Sequence, residues 1–148
     1  MATLKVKIQE DIVLSNQDYG SKRILEIASI DEVMKRIVTC AASQTTTIAV
    51  FNSNAYGAAG AVDIEDSKYI RITNLDSSNA VELAVVGAAT LYQVNLAAGQ
   101  SHILGSADGL MLSEADTSPS FGTMADLGSI QVNPGGNAVD VELLIASA

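Results

Sequence analysis

A two-residue alternation of apolar and polar side chains opens the chain and recurs along most of its 148 residues. In Leu4-Lys5-Val6-Lys7-Ile8 the apolar side chains fall on one face and the lysines on the other, the pattern of a half-buried strand. Ile12-Val13-Leu14 continues that strand past Glu10-Asp11. Further runs of strand character occupy 22–28, 45–51, 68–74, 80–86, 90–96, 101–104, 129–132 and 138–146. Turn residues separate them: Leu75-Asp76-Ser77-Ser78-Asn79, Ala97-Ala98-Gly99-Gln100 and Asn133-Pro134-Gly135-Gly136-Asn137 each read as a hairpin connection. Asn16-Gln17-Asp18-Tyr19-Gly20 reads as another, with Gly20 free to take positive φ. About nine or ten short strands at regular spacing specify an all-β chain folded as an antiparallel, jelly-roll-like β-sandwich. No strand–helix alternation supports a doubly wound sheet, and no internal repeat of fixed period divides the chain. One domain covering 1–148 is the expectation from length, and a hydrophobic content of 48 % supplies its core without cross-links.

Three stretches break the pattern. In 29–38, Ile30, Val33, Met34 and Ile37 stand at helical spacing, and Ser29 with Glu32 forms a capping-box pair. The β-branched run Arg36-Ile37-Val38-Thr39-Cys40 argues for extended chain. The reading is one helical turn near 30–34 feeding a strand near 35–41. Residues 52–61 form a small-residue loop. Residues 105–126, rich in Gly, Ser, Asp and Thr, form a long excursion with one short strand at 110–112. The window 80–99 is the most apolar in the chain, but its period of two and its Gly87, Gln93 and Asn95 argue against a membrane helix. No apolar leader with a small-residue cleavage site opens the sequence, so the protein is expected to act where it is made.

Composition excludes much chemistry. One histidine and one cysteine remove most zinc sites, most histidine-based triads and any internal disulfide framework. A net charge of −9 disfavours a nucleic-acid partner, and the absence of tryptophan disfavours sugar or base stacking. His102 follows Ser101 in a strand, where adjacent side chains point to opposite faces, so the two do not make a nucleophile–base pair. Cys40 ends an apolar strand and reads as a small core residue. Gly57-Ala58-Ala59-Gly60 lacks the Lys-Ser/Thr of a phosphate-binding loop. Asp63, Glu65 and Asp66 read as a solvated loop with a divalent-cation site as the alternative, and Asp108, Glu114 and Asp116 are a second carboxylate source. No catalytic, cofactor or metal site is expected, and no enzymatic activity.

Charge is unevenly placed. All eight basic residues lie at or before position 71, where nine acids give a net of −1; residues 72–148 carry eight acids and no base. The basic positions Lys5, Lys7, Lys22, Arg23, Lys35 and Arg36 are the candidate contact residues for a protein partner, with the acidic second half turned to water.

Three stretches resemble small β-sandwich structural proteins of tailed-bacteriophage virions. They are the opening strand with Tyr19-Gly20-Ser21 and Ile30-Asp31-Glu32-Val33-Met34-Lys35-Arg36-Ile37-Val38; Lys68-Tyr69-Ile70-Arg71-Ile72-Thr73-Asn74; and Leu96-Ala97-Ala98-Gly99-Gln100-Ser101. Together they touch about a third of the chain. The resemblance implies a non-enzymatic virion protein assembled in the host cytoplasm, foremost a capsid decoration (cement) protein, with a tail, head–tail connector or host-binding fibre component as the alternative. Its implied partners are the major capsid protein or other virion proteins, and further copies of itself in a homo-oligomer such as a trimer, with neither nucleic acid nor membrane involved. It transfers no cofactor and no catalytic residue.

Overall fold

The computed structural model describes residues 1–54, 57, 60–87, 91–113, 118–119 and 121–148, with Leu91 described for its backbone alone. Thirteen strands follow in chain order: β1 Ala2–Glu10, β2 Val13–Leu14, β3 Gln17–Asp18, β4 Ser21–Ile30, β5 Glu32–Cys40, β6 Thr46–Asn52, β7 Ala61–Asp63, β8 Ser67–Asn74, β9 Val81–Gly87, β10 Leu91–Leu96, β11 Ser101–Leu104, β12 Leu127–Asn133 and β13 Val139–Ser147. Among the described residues there is no helix, and so none long and apolar enough to cross a membrane.

Eight strands build the body by nested antiparallel pairing. β5 pairs with β13, β6 with β12, β8 with β11, and β9 with β10. The chain is therefore one long hairpin whose successive strand pairs alternate between two sheets, which is the winding of a jelly roll. One sheet has the order β11-β8-β13-β5 and the other β10-β9-β12-β6, to which β7 adds in parallel beside β6. The alternation read from the sequence decides which side chains meet between the sheets. Ile70 and Ile72 of β8, Leu143 and Ile145 of β13, Leu83 and Val85 of β9, and Ile130 and Val132 of β12 are all fully buried there.

Glu32–Cys40 is one continuous strand, and the helical turn expected near 30–34 is absent. All nine of its residues find a partner on β13, from Glu32 opposite Ser147 to Cys40 opposite Val139. That ladder outweighs a local helical spacing of only two turns. Met34 packs against the core, whereas Val33 and Ile37 lie 56 % and 60 % exposed on the outer face, as a period of two requires. Ser29 does not cap a helix. It sits at φ 65° in a bulge where Ala2 and Leu4 pair with Ile30 and Ile27, one residue more on β4 than on β1. The short strand expected at 110–112 is a single bridge from Met111 to Ala125, and the far end of the expected 52–61 loop is already β7.

The connections 75–79, 97–100 and 133–137, expected as hairpins, each carry the chain from one sheet to the other instead, from β8 to β9, β10 to β11 and β12 to β13, because the strands they join pair with more distant partners. Asn74 is the buried polar residue on which two of these crossings depend. Its Nδ2 donates to the carbonyls of Asn79, at 2.8 Å, and Leu96, at 3.0 Å, and its Oδ1 accepts from Asp76 N at 2.9 Å. Asp76 Oδ1 in turn accepts from the amides of Ser78 and Asn79, both at 2.7 Å, which holds its carboxyl below the usual range. Asn74→Ala removes both donors from inside the fold. The expected cost is about 2 kcal/mol, read as a fall in Tm of about 4–8 °C by thermal unfolding.

Candidate functional site

β1 and β4 do not belong to the sandwich. They pair with each other, from Ala2 opposite Ile30 to Glu10 opposite Ser21, and β2 and β3 prolong the same ribbon to its tip. Tyr19 N donates to Ile12 O at 3.0 Å and carries the ladder across the join. The tip turns on Ser15 and Asn16, both at positive φ (53° and 62°), the geometry of a type I′ hairpin. This places the turn earlier than the expected one, and Gly20 serves differently from expectation. It is not at positive φ; a Cβ there would stand 2.6 Å from Glu10 O, so only glycine lets the two strands close at that level.

The ribbon spans residues 2–30, roughly 45 Å at about 3.3 Å per residue along each strand. Only its base is covered. Ile30, Tyr69 and Ala146 form a second small core on the outer face of the β11-β8-β13-β5 sheet, joined by Leu4, Val6, Ile27 and Leu144. Beyond that base no described residue adds a third layer to the arm. Ile8, Ile12, Val13, Leu14, Tyr19, Ile24 and Leu25 are each at least half exposed, with Val13 at 72 % and Leu14 at 63 %. Large apolar side chains left exposed on both faces of a two-stranded ribbon mark a surface for contact.

The structure separates the six basic candidates. Lys5, Lys7 and Lys22 share the outward face of the arm, opposite Glu26, Ile24 and Gln9 respectively. Lys5 Nζ lies 2.6 Å from Glu26, an exposed pair of small energetic weight. Arg23, opposite Ile8, stands on the other face, which looks toward the body. Lys35 lies on the outer face of β5, 3.4 Å from Glu142, whose carboxyl Arg71 also grips; these cations, Arg71 first, hold Glu142 below the usual carboxylate range against the pull of desolvation. Arg36, opposite Leu143, points to the inner side at the sheet edge and donates to the carbonyl of Ile48 in the other sheet. Two neighbours in sequence thus part company twice, at Lys22-Arg23 and at Lys35-Arg36, because adjacent strand residues face opposite ways.

All eight basic residues lie in the arm, in β5 or in β8, and the five strands of the other sheet contain none. The molecule is polar across its layers, from a cation-bearing arm and sheet to a sheet without a cation. The apolar tip was not among the sequence candidates. Its signal was Ile12-Val13-Leu14, three apolar residues in a row inside polar turn chemistry.

The remaining candidates are structural. Cys40 is fully buried, and burial pushes its thiol up, as suits a core residue. His102 faces inward from β11, and its Nε2 lies 3.1 Å from the Tyr92 hydroxyl, so the pair bridges the two sheets with its rings edge to face. Ser101 is engaged elsewhere, 2.7 Å from Thr73 Oγ1. Asp63 Oδ1 accepts from Glu65 N at 3.0 Å, closing the turn that Asp66 completes before β8. Among the described residues no group of three or more His, Cys, Asp or Glu side chains could hold a metal. Glu114 and Asp116, and the Ala58-Ala59 centre of the glycine loop, lie outside the described residues, whereas Asp108 is exposed.

No protein-family model and no curated protein matches the chain. Among solved structures it is similar to a chain described under the heading "Bacillus endospore appendages form a novel family of disulfide-linked pili", at 12 % identity and a TM-score of 0.42, over 84 % of this chain and 96 % of that one. A likeness of that size transfers no function.

Burial holds the His102 imidazole below its ordinary value, so the folded state binds its proton less readily than the unfolded chain. Stability is then unaffected by this group above the ordinary value of about 6.5, and falls as pH drops through that value toward the folded one. His102→Gln keeps a partner for Tyr92 and removes the titration. Thermal unfolding is expected to show a smaller loss of Tm for the variant than for the wild type between neutral and mildly acidic pH.

Proposed function

We propose that the chain is a non-enzymatic structural subunit of a tailed-bacteriophage particle, a capsid decoration protein that attaches in many copies to the outer shell and stabilises it. The observation that carries this reading is the arm: a long ribbon anchored only at its base, with cations on its outward face and apolar side chains left uncovered at its end. A two-stranded ribbon gains little stability by itself in water, so its uncovered length is best explained by a surface that receives it. The layered polarity supports the same reading, because a decoration subunit needs one adhesive side and one side that stays in solvent. Each contact can be modest, since a lattice of simultaneous contacts holds far more firmly than any one of them.

In this reading Lys5, Lys7 and Lys22 face an acidic region of the major capsid protein. Lys35 and Arg36, tied to Glu142 and to Ile48, serve the sandwich and contribute less to docking. The test is reconstitution on shells stripped of the subunit. Joint reversal to Glu at Lys5, Lys7 and Lys22 should lower occupancy at fixed subunit concentration by about tenfold or more, and added salt should lower wild-type occupancy likewise. Occupancy that ignores both would overturn the docking face. A small ring of copies at one vertex, seen by cryo-electron microscopy, would move the assignment to a tail or connector component.

A further inference from the structure

The arm overhangs a groove that its own tip cannot reach. Two abutting hollows, of about 290 Å³ and about 310 Å³, run under it where it leaves the sheet and share an apolar lining, Tyr69 and Ile103 from the sheet below and Val6 and Ile8 from the arm above. Ile103 is 43 % exposed on the outer face of β11, an edge strand that pairs only with β8 among the described residues. Arg23 and Lys68 flank one hollow; the other is bordered by Arg71, which is paired with Glu142, and by Lys5 and Lys7, whose side chains belong to the outward face; no carboxylate lines either hollow. Among the described residues Lys7, Arg23 and Lys68 have no ion-pair partner.

The tip of the same arm is the complement of that groove. Ile12, Leu14 and Tyr19 present exposed apolar side chains on one face of the tip and Val13 on the other, and Glu10, Asp11 and Asp18 supply carboxylates beside them. In its own molecule the tip lies at the far end of a continuous ladder, and bringing it back to the base would break the pairing of β1 with β4. We infer that the groove receives the arm tip of a second copy of this chain, apolar side chains against the Ile103 floor and carboxylates against Arg23 and Lys68. The contact is heterologous, because the patch that inserts differs from the patch that receives. Each copy therefore offers one tip and one groove, and copies link head to tail into a ring or an open chain.

This linkage goes beyond docking to a shell, which the outward Lys5, Lys7 and Lys22 face serves while the tip is taken by the neighbouring copy; it needs no shell, so the purified chain alone tests it, by size-exclusion chromatography with light scattering. Wild-type protein is expected to assemble beyond the monomer as concentration rises. Val13→Ser with Leu14→Ser spoils the tip, and Ile103→Glu spoils the groove; both sets of positions are solvent-exposed, so the fold should survive, which circular dichroism checks. Each variant alone should be monomeric, its self-association weakened by about tenfold or more. Mixed together they should form dimers and nothing larger, because one variant keeps a working groove and the other a working tip. A second measurement uses thiols: Leu14→Cys protein mixed with Ile103→Cys protein should cross-link across the two variants on mild oxidation, with the buried Cys40 spectator to the reaction. A monomeric wild type, variants that still assemble, or a mixture that stays monomeric would each overturn the inference. A monomeric wild type that still coats shells would overturn it while leaving the docking reading intact.

Discussion

The nested pairing of eight strands is the constraint from which the rest of the molecule follows. Once β5 has taken β13, and β6, β8 and β9 have taken β12, β11 and β10, the inner rows of both sheets are matched and the core is closed. Nothing in that closed body calls for β1 and β4. Their ribbon is laid on the outer face of one sheet, where Tyr69, Leu144 and Ala146 give it a foothold of a few side chains. A fold whose interior is already complete can spend an added hairpin on its surroundings, and the exposure gradient along the ribbon, from Ile30 buried at its root to Val13 uncovered at its tip, follows from that order of construction.

Much of this was legible in the residues. The alternation in Leu4–Ile8 identified faces as well as a strand, because a period of two leaves one assignment of inside and outside once the apolar set is seen; Lys68–Asn74 and the last strand were legible as strands. Asp76-Ser77-Ser78-Asn79 carried its own turn in its side chains. What the residues could not show was partnership at a distance. The choice between a helical turn and a strand over 30–38 rests on β13, about a hundred residues away, and no local spacing reveals it. The bulge at Ser29 and the close approach at Gly20 have the same origin, since both are set by the opposing strand.

The faces taken by the basic residues were legible in part for the same reason. Lys5 and Lys7 were placed correctly opposite their apolar neighbours. Treating Lys22-Arg23 and Lys35-Arg36 as basic pairs overlooked the rule that divides every adjacent pair in a strand. Its consequences are specific: Arg23 turns to the groove, and Arg36 joins the two sheets through Ile48. The tip is hidden in the sequence because three apolar residues beside a turn look like a strand end; only the fold leaves Ile12, Val13 and Leu14 uncovered by the described residues.

The missing third layer beyond Val6 also has a mechanical meaning. Bending the sandwich would disturb a packed interior, but bending the distal arm disturbs only a two-stranded ladder, so the molecule joins a stiff block to a compliant spring. The bulge at Ser29 lies at the root of that spring, where a small change of direction is multiplied along the whole length of the ribbon. Blocks joined through such springs can follow a surface whose curvature varies from place to place, each joint absorbing a misfit that rigid faces would have to resolve by letting go.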